Sequence, residues 1–137
     1  MIHYVGILRD KFLIGEQAAM EYIQRNHNKF PPNHFFYVFA TLLAIESNYM
    51  NVLEYLVLQN GDLDINCLFD EDLATLLIRT VKLPNYEALK VLLQVDGIDI
   101  WIKDTYEHSA MYYALSSLRE DIAKLLLEYD VNNHNKH

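Results

Sequence analysis

Cys67 and six histidines are the residues of this chain best suited to nucleophilic or metal chemistry. A cysteine nucleophile needs a base held beside it. No motif joins Cys67 to a histidine, and burial in a hairpin accounts for it. His134-Asn-Lys-His137 could hold a metal transiently, but a floppy tail is the expected state of that segment. Glu71 and Asp72 form a carboxylate pair, yet they fall on a predicted hairpin where solvation explains them. No G-x-x-x-x-G-K-[ST] phosphate cradle, C-x-x-C pair or H-E-x-x-H helix occurs. The sequence therefore predicts a protein that is not an enzyme and has no metal and no cofactor. An enzyme built on these residues would need His, Asp and Cys side chains converging in one cleft.

Composition narrows the classes further. The 137 residues suffice for one domain with a continuous core, and 52% hydrophobic against 22% charged residues is a globular balance. A net charge of −8 argues against nucleic acid and anionic membranes, whose binding needs a basic stripe. No apolar run approaches the length of about 18 residues needed to span a membrane, and the N-terminus lacks the pattern of a signal peptide. One cysteine excludes an intramolecular disulfide and fits a reducing setting, cytoplasmic or nuclear (host cytosol or nucleus if the protein is viral or an effector). The many Tyr and Asn with few Gly hint at an AT-rich coding sequence, of the kind found in large DNA viruses and intracellular bacteria.

The elements that must position these residues show themselves as repeats. Asp70, Thr75, Leu77, Thr80, Glu87 and Lys90-Val-Leu-Leu93 match Asp104, Ser109, Met111, Ala114, Asp121 and Lys124-Leu-Leu-Leu127 at a single offset of 34. A third copy aligns Ala44 and Asn51-Val-Leu-Glu54 with Ala114 and Asp121-Ile-Ala-Lys124. The seven-residue step from a small residue to a polar one recurs at 44 to 51, 80 to 87 and 114 to 121. The small residues Ala44, Thr80 and Ala114 belong where two helices cross. The triplets at 55–57, 91–93 and 125–127 belong against the next repeat, because one helix pair cannot bury its apolar faces alone. The linkers Gly61-Asp-Leu-Asp-Ile-Asn66, Gly97-Ile-Asp-Ile-Trp101 and Asp130-Val-Asn132 repeat too, with Gly61 and Gly97 suited to a left-handed helix end.

A period near 33 residues built of a turn and two helices resembles the ankyrin repeat. Asp104-Thr-Tyr-Glu-His-Ser-Ala-Met-Tyr-Tyr-Ala114 resembles its D-x-x-G-x-T-P-L-H-x-A opening, and Asp121–Leu127 its second helix. The resemblance implies an all-α solenoid of stacked helix pairs joined by hairpins. It would comprise a degenerate N-terminal cap (1–32), repeats at 33–68, 69–103 and 104–132, and a tail (133–137). Helix pairs are expected near Asn33–Asn60, Leu73–Val95 and Ser109–Tyr129, and in the cap at Tyr4–Leu13 and Gln17–Gln24. Leu73 and Glu107 replace the turn Gly, Leu76 and Ala110 the Pro, and Ile78 and Tyr112 the His. Most of the family's ties between repeats are therefore missing, which implies lower stability.

Ankyrin proteins bind through hairpin tips and the exposed side of the inner helices. Carried over by alignment, these positions are Phe35, Phe36, Val38, Glu46 and Ser47; then Glu71, Asp72, Ala74, Lys82 and Leu83; then Thr105, Tyr106, His108, Ser116 and Ser117. Trp101, the only tryptophan, stands where the family carries a loop Asn and is a candidate anchor beside Tyr106 and His108. Asn66 and Asn132, each two residues after an aspartate, resemble sites of asparaginyl hydroxylation, although local loop hydrogen bonds account for such residues. The resemblance implies a protein partner recognised by an adaptor, inhibitor or decoy, with no nucleic acid and no membrane. Self-association as a homodimer through the C-terminal repeat is the alternative. Leu126 would then lie near an open end, and Leu92 between two repeats.

Overall fold

The computed structural model of the chain describes residues 3–32, 34–59 and 63–134. Among these residues the regular structure is helical, apart from an isolated antiparallel bridge between Phe69 and Ala74. The elements are α1 (His3–Ile14), α2 (Glu16–Arg25), a 3₁₀ turn (His27–Lys29), α3 (Phe35–Ser47), α4 (Met50–Glu54) running into a π-helical turn (Tyr55–Gln59), α5 (Leu76–Lys82), α6 (Tyr86–Leu92), α7 (Ala110–Ser116) and α8 (Glu120–His134). The expected helix pairs and the turns between them are present. The chain falls into two compact units, Met1–Asp64 and Ile65–His137.

In the first unit α1 packs on α2 and α3, and α2 on α4. Helix α3 is apolar nearly all round, so it is buried on several sides rather than along one stripe. Phe36, Tyr37, Ala40, Ala44 and Ile45 are all inside. The cap pair is joined to its neighbour by polar ties as well. Glu16 Oε2 accepts from the N–H groups of Asn51 (2.8 Å) and Val52 (3.2 Å), so a side chain from α2 caps α4. Tyr49 stacks on Phe12 and donates its hydroxyl to the Phe12 carbonyl at 2.8 Å.

In the second unit α5 and α6 form one helix pair, α7 and α8 the next, with α5 against α7 and α6 against α8. Thr75 and Ser109, which are 34 residues apart, cap α5 and α7 by accepting from Ile78 N–H and Tyr112 N–H. The small residues at the helix crossings, Ala44, Thr80 and Ala114, are completely buried. Gly97 takes the left-handed conformation (φ +82°) after α6. The same reading for Gly61 falls outside the described residues.

Three expectations need correction. Asp130-Val-Asn132 is not a linker: α8 continues to His134, so the part of the tail that is described is helical. No glycine follows Tyr129 to stop the helix, and the extension is fastened by Tyr129 donating to the Ile98 carbonyl (3.4 Å) and Asn133 to the Tyr129 carbonyl (2.8 Å). Asn132 consequently lies on a helix and not in a hairpin. Residues 135–137 of the tail lie outside the described residues. Leu126 is as fully buried as Leu92, because it points inward from α8, while Leu127 carries the exposure expected of an end.

An aromatic hairpin as the candidate functional site

The hairpin 104–108 is built around one carboxylate. Asp104 Oδ1 accepts from the backbone N–H of Tyr106 (3.0 Å) and of His108 (3.1 Å). Its Oδ2 accepts from the Tyr113 hydroxyl. Glu107 completes the turn in the left-handed region (φ +64°), where the family has glycine. Asp104 is only 4% exposed. Burial pushes its carboxyl up, but the Tyr113 hydroxyl, the two backbone donors and the nearby His108 ring together hold it below the ordinary value. Burial and then Asp104 push the Tyr113 hydroxyl far up, so Tyr113 keeps its proton and donates it in a hydrogen bond to the carboxylate.

That proton fixes the next ring. His108 Nδ1 lies 3.4 Å from the Tyr113 oxygen. Because the hydroxyl hydrogen is committed to Asp104, the oxygen can only accept, which puts a hydrogen on Nδ1 of His108. In the neutral ring Nε2 is then left as an acceptor. The imidazole also stacks on Tyr112, with centroids 3.6 Å apart and planes 11° off parallel. Tyr106 approaches from the hairpin tip at 6.4 Å. Lys82 from α5 sits over the Tyr113 ring, 4.8 Å from its centroid, as a cation–π contact. Thr105 donates its N–H to the Asp72 carbonyl at 2.9 Å, tying this hairpin to the preceding one. The Asp72 carboxylate raises the Tyr106 hydroxyl, first through its charge and then by a hydrogen bond.

The result is a plate of rings on a rigid base. Tyr106 is 60% and Tyr112 46% exposed, with His108 half-buried between them. Aromatic rings offer area at low entropic cost, and their polar tips choose the partner. The arrangement offers rings and hydrogen-bonding tips to a binding partner. Among the described residues no His, Cys, Asp and Glu side chains group so as to hold a metal ion, and no helix is long and apolar enough to cross a membrane.

Of the residues expected at the site, Tyr106, His108, Thr105, Asp72 and Lys82 come together here. Glu71 is exposed beside Asp72 on the preceding turn. Ser116 and Ser117 do not back the hairpin. They lie at the far end of α7, about 10 Å along its axis from the capping end, where Ser117 donates to the Ala114 carbonyl. Phe36, at 1% exposure, is core and not surface, and Val38 and Ala74 are buried as well. The register of α3 turns Phe35 outward instead, stacked on Phe39. Trp101 turns away to α8, donating its ring N–H to Asp130 at 3.1 Å. Cys67 is half-buried in a loop, not enclosed in a hairpin. Asn66 donates to the Gly97 carbonyl (2.8 Å) and accepts from Asp99 N–H (2.9 Å), so it acts as a tie between loops. Tyr112 and Tyr113 are not among the positions that alignment to the family singles out for binding. The signal was available: His108 and Tyr112 are four apart at a helix start, and Tyr113 stands 34 after Arg79.

A family model for ankyrin repeats, described as three copies, matches residues 41–137. The chain belongs to the ankyrin-repeat family. Ankyrin repeats are protein-interaction modules and are generally non-catalytic. The ankyrin match begins within α3, so α1 and α2 precede it. No curated protein matches the chain at a significant level.

Proposed function

We propose that this ankyrin protein acts by binding a protein partner through the hairpin 104–108 and the start of α7, as an adaptor, inhibitor or decoy. The observation that carries the reading is the ring plate Tyr106–His108–Tyr112, exposed on one side and fixed on the other by buried Asp104 and half-buried Tyr113. A preorganised aromatic surface loses little freedom on binding. Asp72 and Lys82 at its edge supply one charge of each sign, which suits a mixed protein surface better than a polyanion.

A photo-crosslinking residue at position 106, introduced into the full chain in its native cells, tests this. A discrete protein adduct from 106, absent when the crosslinker is at exposed position 124 on α8, is the expected result. Affinity for the captured protein should then fall about tenfold or more with Tyr112→Ala. Adducts from 124 alone would move the site to the outer helices.

Self-association is a second reading, favoured by the exposed side chains of Leu115, Leu118, Leu127 and Val131 on the C-terminal helix pair. Sedimentation of the protein with and without Leu127→Glu would separate it from the first: a dimer lost in the variant supports it, and a monomer in both excludes it.

A further inference from the structure

A groove of about 740 Å³ opens between the segment 93–101 that follows α6 and the last turns of α8. None of Tyr106, His108 and Tyr112 lines it, so it is a separate surface from the aromatic hairpin. Its lining includes Asp96, Asp99 and Asp130 and, among the described residues, no lysine, arginine or histidine. Trp101 stands among these acids. Its backbone N–H donates to Asp99 Oδ1 at 2.9 Å and its ring N–H to Asp130 Oδ1 at 3.1 Å. Those bonds set the indole in place while 49% of the residue stays exposed, and neither of them neutralises a carboxylate. Burial, then the charges of Asp96 and Asp99, push up the hydroxyl of Tyr129 across the groove. Nearly buried Ile98 adds an apolar floor.

We propose that this groove binds a basic segment of a partner protein, taking an arginine or lysine side chain between Trp101 and the three carboxylates. The chemistry of the lining selects that occupant. An indole face attracts a cation, and three negative charges with no cation among the described lining residues reinforce it. The aliphatic stem of a long basic side chain covers apolar floor while its head stays with the charges. The net charge of −8 would speed the encounter. A neutral apolar peptide would leave the carboxylates poorly solvated, and an acidic one would be repelled.

Trp101 is the only tryptophan, so its fluorescence reports this groove directly. The probe is a peptide alternating arginine with glycine, compared with one carrying citrulline for arginine, which keeps the shape and removes the charge. With the full wild-type chain we expect a saturable change in Trp101 emission, about tenfold or more weaker for the citrulline peptide. The triple variant Asp96→Asn, Asp99→Asn, Asp130→Asn retains acceptors for both Trp101 donors and should weaken the arginine peptide by about tenfold or more. Circular dichroism checks its fold; should it fail to fold, the citrulline comparison on the wild-type chain still decides. Equal binding of the two peptides, no saturable change with arginine, or undiminished binding by a folded triple variant would overturn the proposal. So would an equal loss from Glu87→Gln with Glu120→Gln, which would show only general charge attraction. A protein dimer that the arginine peptide dissociates would place a second copy in the groove and overturn it too. The probe needs neither the natural partner nor the hairpin rings, so its failure would leave the proposed hairpin site standing.

Discussion

Asp70 and Asp104 occupy the same corner of successive hairpins, 34 residues apart. Each accepts backbone N–H groups with Oδ1: Asp70 from Asp72 (2.8 Å), Asp104 from Tyr106 and His108. Each is followed three residues later by a non-glycine residue in the left-handed region, Leu73 (φ +52°) and Glu107 (φ +64°). Their second oxygens part company. Asp70 Oδ2 meets Arg79 at 3.1 Å, in a pair whose side chains are 29% and 40% exposed. Asp104 Oδ2 meets Tyr113, the residue equivalent to Arg79, with the carboxylate buried and the His108 ring edge-on to Tyr113. One repeat thus ends its turn with a solvated ion pair, the other with a buried carboxylate in a part-buried network beneath exposed rings. The two turns also differ in backbone, since Asp70 itself is left-handed (φ +59°) and Asp104 is not, so the side chain nine residues after the aspartate is one of two differences between a plain turn and the base of a surface.

The comparison rests on both repeats sharing one core, and this gives the largest expected effect. Leu92→Ala and Leu126→Ala each remove a fully buried leucine from equivalent sides of outer helices. Each should cost about 2–5 kcal/mol in urea melts. A loss at Leu126 below about half that at Leu92 would show that the end repeat relaxes around the cavity, and the equivalence would fail.

The hairpins themselves should differ. Asp104→Ala strands the Tyr113 hydroxyl and two backbone donors, and should cost about 2–4 kcal/mol. Asp70→Ala removes a half-exposed ion pair and one turn bond, for about 0.5–1.5 kcal/mol. Equal losses would mean that the buried network adds nothing to the shared turn. Acid sharpens the same point. The folded Asp104 carboxyl titrates below its ordinary value of 3.8. Its stabilising contribution is therefore fully present above that ordinary value and is lost as pH falls through the depressed one. Asp104→Asn should be less stable than wild type at neutral pH, with the gap closing toward about pH 2. A gap constant across that range, in urea melts at stepped pH, would show that the charge of Asp104 contributes no stability.

The helix pairs could be read from the sequence because period and small-residue spacing depend on helix packing, which repeats. Ala44, Thr80 and Ala114 had to be small wherever two helices cross, and they are. The end of α8 could not be read, since nothing local distinguishes an aspartate that begins a loop from one that continues a helix. Only Trp101, from another loop, supplies the bond to Asp130. The site was half visible. Tyr106 and His108 could be placed on the hairpin by alignment, and the 34-residue step from Arg79 to Tyr113 marks the position that reaches back to the aspartate, but the family pattern gives that position no binding role. Phe35 and Phe36 show the limit of an aromatic pair on an apolar helix: a single step in register separates a surface ring from a core ring.

The smallest effect tests the one left-handed position that both hairpins share, three residues after the aspartate. Leu73 and Glu107 hold left-handed conformations that cost a side-chain-bearing residue about 1–2 kcal/mol. Glycine removes that cost and gives back part of the gain as greater freedom in the unfolded chain. Glu107 is exposed, so Glu107→Gly loses little else and should stabilise the protein by about 0.5–1 kcal/mol. Leu73 is half-exposed and its buried half is lost on truncation, so Leu73→Gly should gain less, between about zero and 0.5 kcal/mol. Thermal melts of the two variants against wild type measure both. Were Glu107→Gly destabilising instead, the turn at 104–107 would be held by contacts of the Glu107 side chain rather than by Asp104.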